Sequence, residues 1–367
     1  MNIRVAALPV MLAAQMLLSG QVWAGSWQQG GAVRVATEYD TNPAMDPAYR
    51  GGIWRSTVEP SYQLKRTGDA NELHAGLALQ VARSSNKILS QDRDNPSVFM
   101  DWRRQKERGE FGLSARYDEV QTRISEVDNT GPNSADNTRA TRTISGNWSE
   151  SLSARSTFAL NGAYNKVSYK GGSLVDYVTR SGSMIFNYAW SERSRPFLKM
   201  SYADTESAGN NTLSRFTNAL LGWGWKVEDY LEGSLQAGKS KTSGAGMSKQ
   251  AAAEVRYKGQ RAGLALNADR QVSPSGVGGF VTVDQVKGSW SYALSERSNT
   301  GIDLEWRKNH FLTNIVNRTA GAWLQHELNS RWGMRTYYLH KISERVGFGT
   351  ATSDILGIAL VYTHTDF

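Results

Sequence analysis

Five histidines, a scatter of strand charges and no cysteine bound the chemistry open to this chain. The histidines are His74, His310, His326, His340 and His364, and none stands in HExxH or another metal-ligand spacing. No G-x-S-x-G nucleophile elbow occurs. An Asp–His proteolytic pair at a loop rim would need His310, which falls in a connection with no flanking acid cluster. Without cysteine there is no disulfide framework and no thiolate metal or redox chemistry. The glycine run Gly276-Val277-Gly278-Gly279 has no following helix or Lys to complete a phosphate cradle. No enzymatic activity, cofactor or metal is therefore expected, and no nucleic-acid partner.

The charges are more informative. Where one strand face is apolar, the opposite face carries Glu59, Lys65, Asp101, Arg103, Arg116, Asp118, Glu254, Arg256, Lys258, Lys287, Asp303, Glu305 and Arg307. If the apolar face meets lipid, these residues line an interior. They are confined there because a Lys or Arg on the lipid face of a membrane barrel costs about 2–4 kcal/mol at midplane. Mixed signs suit a water-filled pore or an interior cross-linked by ion pairs. The basic surplus weakly favours anionic solutes through long-range steering.

The elements that position these charges follow a period of two. Leu73, Ala75, Leu77, Leu79 and Val81 share one face, with His74, Gly76, Ala78 and Gln80 between them. Ala251, Ala253, Val255 and Tyr257 alternate with Glu254, Arg256 and Lys258, and Ile302, Leu304 and Trp306 alternate with Asp303, Glu305 and Arg307. Short polar turns recur near Gly68, Arg108, Glu150, Glu192, Glu228, Gly259, Glu296 and Ser330. Longer loops lie between them, such as 84–95, 128–137, 207–214 and 243–248. Tight turns alternating with long loops are the asymmetry of a transmembrane barrel. The spacing predicts an all-β, antiparallel up-and-down barrel of about 18 strands, with 16 as the alternative because the stretch before Glu72 is the least regular. The expected strands are 31–39, 52–66, 73–83, 96–106, 110–126, 138–149, 154–169, 176–190 and 195–206. They continue with 215–226, 231–242, 249–258, 261–273, 280–293, 299–309, 317–328, 332–345 and 350–367. An even count puts both termini in the periplasm.

The N-terminus sets the compartment. Arg4 precedes an apolar run, Val5 to Leu18, and Val22-Trp23-Ala24 offers small residues at a cleavage site. Residues 1–24 read as a secretory signal and 25–367 as one outer-membrane barrel domain. Cleavage leaves 41 Lys and Arg (42 less Arg4) against 34 acids. Trp148, Trp190 and Trp225 end strands before short turns and Trp332 begins one, as a girdle at the lipid headgroups requires. Outer-membrane lipid and lipopolysaccharide are the surroundings expected. In the last strand Leu356, Ile358, Leu360 and Tyr362 share a phase that Phe367 does not. A bulge between Tyr362 and Phe367 would restore it.

Two stretches resemble the beta-barrel porin-2-like family, outer-membrane barrels associated with exopolysaccharide export. One is Tyr39-Asp40-Thr41-Asn42-Pro43. The other is Arg270-Gln271-Val272-Ser273-Pro274-Ser275-Gly276-Val277-Gly278, followed by the turn Leu294-Ser295-Glu296-Arg297-Ser298, echoed by Trp190-Ser191-Glu192-Arg193-Ser194. The resemblance implies a conduit for a secreted polysaccharide, with periplasmic export components as separate partners. A general or anion- or sugar-selective diffusion porin is the first alternative, and an occluded structural or adhesion barrel the second.

Overall fold

In the computed structural model the described residues are 25–48, 51–126, 136–172, 174–208, 212–244, 246–310, 314–347 and 349–366. The expected signal, 1–24, lies outside them, as does Phe367. Eighteen strands follow one another: β1 (Ser26–Asp40), β2 (Ile53–Thr67), β3 (Asn71–Ser84), β4 (Arg93–Lys106), β5 (Gly109–Gln121), β6 (Thr138–Ser151), β7 (Ser156–Lys170), β8 (Tyr177–Tyr188) and β9 (Ser194–Ser207). The second half comprises β10 (Thr212–Val227), β11 (Leu231–Thr242), β12 (Gly246–Lys258), β13 (Ala262–Pro274), β14 (Phe280–Ser295), β15 (Ser298–His310), β16 (Asn314–Glu327), β17 (Trp332–Arg345) and β18 (Gly349–Asp366). Each pairs antiparallel with its neighbours in chain order, and β1 pairs with β18 from Asp40↔Ile355 to Gln29↔Asp366. The sheet is a closed 18-stranded barrel, and the 16-strand alternative is excluded.

Closure answers the backbone's need for partners, because a membrane offers none to an open edge. Strands of 12 to 18 residues exceed the 9–11 or so that a tilted crossing needs. The surplus explains where the structure departs from the expected loops. Residues 207–214 and 243–248 shrink to connections 208–211 and 243–245, and 311–313 and 346–348 are as short. Polar residues beyond the membrane still pair as strands, because the ladder itself does not require an apolar side chain. The long connections are confined to the first part of the chain, at 41–52, 85–92 and 122–137. The hairpin at 243–245 turns on Gly244 and Gly246, at φ +80° and +79°, where a side chain would be strained.

Three further expectations are corrected. The strand expected over 110–126 stops at Gln121, and a one-turn helix α1 (Thr122–Ser125) follows, closed by Glu126 N–H donating to the Thr122 carbonyl at 2.9 Å. The strand expected to end at Trp190 ends at Tyr188, leaving Trp190 in the short turn with its ring 6.3 Å from that of Trp223. No bulge intervenes after Tyr362: the register with β1 runs unbroken from Tyr362↔Val33 to Asp366↔Gln29.

Directly paired residues share a face, so the parity of each strand can be followed round the ring. Leu77 on β3, Ile144 on β6, Leu235 on β11, Leu266 on β13, Leu304 on β15 and Leu356 on β18 all fall on one face, and all are highly exposed. A continuous exposed belt of large apolar side chains around a closed barrel makes this an outer-membrane protein. Replacing Leu266 near mid-belt by Arg is expected to destabilise the barrel by about 2–4 kcal/mol. Denaturant titration in lipid vesicles should show this loss, with Ser289 on the opposite face tolerating the same change.

Candidate functional site

All thirteen charged residues singled out from the sequence fall on the face opposite the apolar belt, by the register of β2 to β5 and of β12 to β15. The structure gathers them on two walls. On β2–β5, Lys65 bridges Glu72 at 2.9 Å and sits across from His74, which faces Asp101; Arg103 bridges Glu110 at 3.2 Å. Arg116 lies over the Phe99 ring, and Asp118 stands two residues further along the same face. Glu59 opposes Arg34 of β1. On β11–β16, Arg256 bridges Glu254 at 2.5 Å and Glu232 at 3.6 Å, and Lys258 closes the row. Glu305 takes Lys287 at 3.6 Å and Arg307 at 2.9 Å, while Asp303 accepts the Trp323 indole N–H at 3.0 Å. In a ring of eighteen, β4 and β13 are nine strands apart, so the two charged walls face each other.

Exposure along this face is uneven, and the difference separates two ends of the interior. Near the short turns the Arg103 and Arg256 side chains are 62% and 61% exposed. Near the other end Arg307 is 2% exposed, and Arg93 and Asp136 are 7% and 4% exposed. Val167, Tyr177, Thr205, Phe216, Val283 and Asn309 are likewise buried on the inner face there. The interior is therefore wet at the short-turn end and packed at the other.

The packing is built by segments that leave the wall. Arg93 of β4 binds Asp136 at 2.7 Å, and the same carboxylate accepts the Gln91 amide at 2.6 Å and a contact from Gln121. These bonds hold α1 and residues 136–138 inward, so that Arg123 and Ile124 of α1 share a cavity with Asp40, Arg55, Lys341 and Ser353 of strands β1, β2, β17 and β18. Arg123 also contacts the Leu89 carbonyl. Glu126 accepts the Tyr169 hydroxyl at 2.9 Å and lies 3.6 Å from Arg139, whose guanidinium reaches the Tyr177 hydroxyl at 3.3 Å. On the far side the connection 275–279 crosses to the β7–β8 connection, where the Val175 amide donates to the Gly276 carbonyl at 2.7 Å. Phe216 and Phe280 meet between them, with ring centroids 5.7 Å apart.

Sequence reasoning missed this inward packing. Arg93 and Arg139 flank long connections, where a lone Arg reads as a solvated loop residue, and nothing local pairs them with Asp136 or Glu126. Glu38 and Arg55, bridged at 3.0 Å, were within reach of the alternation rule, since both share the phase of Glu59 and Lys65. His310, expected in a connection without acids, ends β15 and binds Asp284 at 2.8 Å on the outward face. Trp148, Trp225 and Trp332 sit near the short turns on the apolar face.

Two outcomes follow for the packed end. Arg93→Ala strands a buried carboxylate, a loss of about 3–5 kcal/mol where a buried pair is broken. Limited proteolysis should then cut within 121–138 far faster than in the parent. The second concerns pH. Burial pushes the Glu126 carboxyl above its ordinary range, against the pull of the Arg139 guanidinium and the Tyr169 hydroxyl. The folded chain then holds a proton that the unfolded chain has lost, so the seating of α1 weakens as pH rises from the ordinary carboxylate value through the raised one. Protection of this segment should fall over that window, and Glu126→Gln should flatten the profile.

No protein-family model matches the chain, and no curated protein matches it by sequence. Solved structures do match in fold. OccK2 (OpdF) of Pseudomonas aeruginosa in complex with glucuronate superposes with TM-score 0.55 at 10% identity, covering 95% of this chain and 100% of that one. OccAB4 of Acinetobacter baumannii gives 0.53 at 11% identity, over 94% and 99%. The siderophore receptor PirA of P. aeruginosa gives 0.52 at 8% identity, over 93% and 81%. The barrel shares its architecture with outer-membrane proteins of this kind.

Proposed function

We propose that the protein is a passive outer-membrane channel for small polar solutes, with a preference for acidic ones of sugar-acid size. The observation that carries this reading is the pair of facing, water-exposed charged walls inside a closed barrel, narrowing to a packed end. Eighteen strands enclose enough width for an aqueous passage. Cations at Lys65, Arg103, Arg256, Lys258 and Lys287 offer an anion successive partners, while the neighbouring acids keep any one of them from holding it. Weak, repeated contacts of this sort let a solute enter and leave. The fold likeness to OccK2, solved with glucuronate, supports a carboxylate-bearing solute.

In this reading the short turns and both termini face the periplasm and the packed end faces outward. Export of a polysaccharide rests on the motif resemblance alone. The stretch 270–278 that carries it forms the end of β13 and the inward connection 275–279, which narrows the passage. A bulky polymer fits that geometry less well than a small solute.

Planar-bilayer recordings test the proposal. Small, steady conductance steps with a preference for chloride over potassium are expected. The double variant Arg103→Glu with Arg256→Glu should reverse that preference while the step size changes less than about twofold, since it alters charge and little volume. An ion-impermeable barrel would refute the channel. A deletion strain lacking extracellular polysaccharide would favour export instead.

A further inference from the structure

The outward face carries charges as well as the apolar belt, and at the end away from the short turns most of them are matched. Arg83 pairs with Asp94 at 2.8 Å, Lys170 with Glu119 at 2.6 Å and Arg180 with Asp204 at 3.3 Å. Arg270 pairs with Asp284 at 2.5 Å, Arg318 with Glu344 at 2.5 Å and His340 with Asp354 at 2.7 Å. Among the described residues Arg142 and Lys166 face each other across β6 and β7 without an acid partner, and strands β10–β12 break the pattern with the largest cluster. Arg215, Lys239, Lys241 and Lys249 are all exposed there and share the outward parity of Leu221, Leu235 and Met247. Among the described residues none of the four forms an ion pair: Arg215 stands across from Asp204, which Arg180 already holds. Lys239 and Lys249 are direct cross-strand partners. Like charges directly opposite destabilise a sheet, and an anion from outside the chain would relieve that repulsion.

A second, independent feature lies immediately towards the belt. The next outward pair below Lys239↔Lys249 is Ala237↔Ala251, followed by Ala253↔Ala268 on β12 and β13. These four alanines floor a groove of about 860 Å³, walled by Trp223 on one side and Trp306 on the other. Most of the same face carries Leu, Ile, Tyr and Trp; a second stretch of small residues, Gly146, Gly162 and Gly182, has no cluster of cations above it comparable to Lys239, Lys241 and Lys249. Small residues in a row leave a trough that an extended hydrocarbon chain can fill, recovering contacts that a void forfeits. Cations above a trough are complementary to an anionic headgroup above an acyl chain.

The level is right for a headgroup. From Trp225 and Tyr257 beside the short turns, the outward rows run through Trp223, Leu235 and the alanines before reaching Lys239 and Lys249. Leu231 to Lys239 is eight residues, or roughly 26 Å along a strand, which at a barrel tilt of about 35–45° rises roughly 18–21 Å, most of a band about 25 Å tall. The lysines thus stand at the opposite membrane boundary from the aromatic turns.

We propose that this surface is a binding site for one phosphorylated glycolipid of the lipid A type. Its phosphates would sit among Lys239, Lys241, Lys249 and Arg215, and one acyl chain would lie in the alanine trough. Multiple phosphates suit four clustered cations better than the single phosphate of a glycerophospholipid. The inference is independent of what passes through the barrel.

Native mass spectrometry of the detergent-purified full chain tests it, with bisphosphorylated lipid A, its dephosphorylated form and phosphatidylglycerol as probes. Bisphosphorylated lipid A should be retained preferentially. The triple variant Lys239→Gln, Lys241→Gln, Lys249→Gln should bind it roughly a hundredfold more weakly, from the surface attraction of three lysines. The corresponding Arg variants should keep binding. Ala251→Phe, which fills the trough and leaves every cation in place, should also lose retention. Heat-modifiability on gels checks that each variant remains a folded barrel. Equal retention of lipid A by the triple Gln variant would overturn the site. So would equal retention of phosphatidylglycerol and lipid A by the parent, which would make the patch a nonspecific headgroup contact.

Discussion

Everything in this molecule depends on one requirement: that no backbone N–H or C=O face hydrocarbon without a partner. A single chain of strands meets it only by returning to its start, and the β1–β18 ladder does so over most of β1, from Gln29 to Asp40. Closure then constrains the side chains. Because direct partners share a face, the choice of inside and outside made at β1 is passed from strand to strand and must agree when it comes back. Val33 and Val35 meet Tyr362 and Leu360 in the same phase, so the circuit is consistent.

That consistency explains what could be read from the chain before its structure. The strand number and the interior charges depend on alternation and turn spacing, which are local properties. Glu254, Arg256 and Lys258 declare their face through Ala253, Val255 and Tyr257 beside them. Loop lengths were less legible, because a polar segment such as 207–214 reads alike whether it is paired or free. The inward packing of α1 was illegible. It depends on Arg93 meeting Asp136 across an intervening hairpin and on Glu126 meeting Tyr169, contacts between residues 43 positions apart in each case. The phase of Phe367 posed a problem that a bulge would have solved, yet the ladder runs straight to Asp366.

The interior and exterior faces handle charge by different means. Inside, cations and acids are interleaved and solvated at one end, then sequestered at the other. Outside, charges occur above the belt and are mostly neutralised by a neighbour on the adjacent strand. Such cross-strand pairs are worth only a few tenths of a kcal/mol to about 1 kcal/mol each, so their value lies in sparing the lipid boundary an isolated charge. The cluster on β10–β12 departs from that rule, as does the Arg142↔Lys166 pair of β6 and β7.

The uneven packing of the interior also means that the two ends of the barrel owe their rigidity to different solvents. Near the short turns the wall is held by lipid on one side and water on the other, and only its hydrogen-bond ladder resists bending. At the far end Val167, Thr205, Val283 and Asn309 are enclosed as they would be in a water-soluble protein. That half carries a core of its own. Stripped of its bilayer, the molecule should behave as a rigid collar attached to a loosened skirt, with amide exchange slow in one and fast in the other.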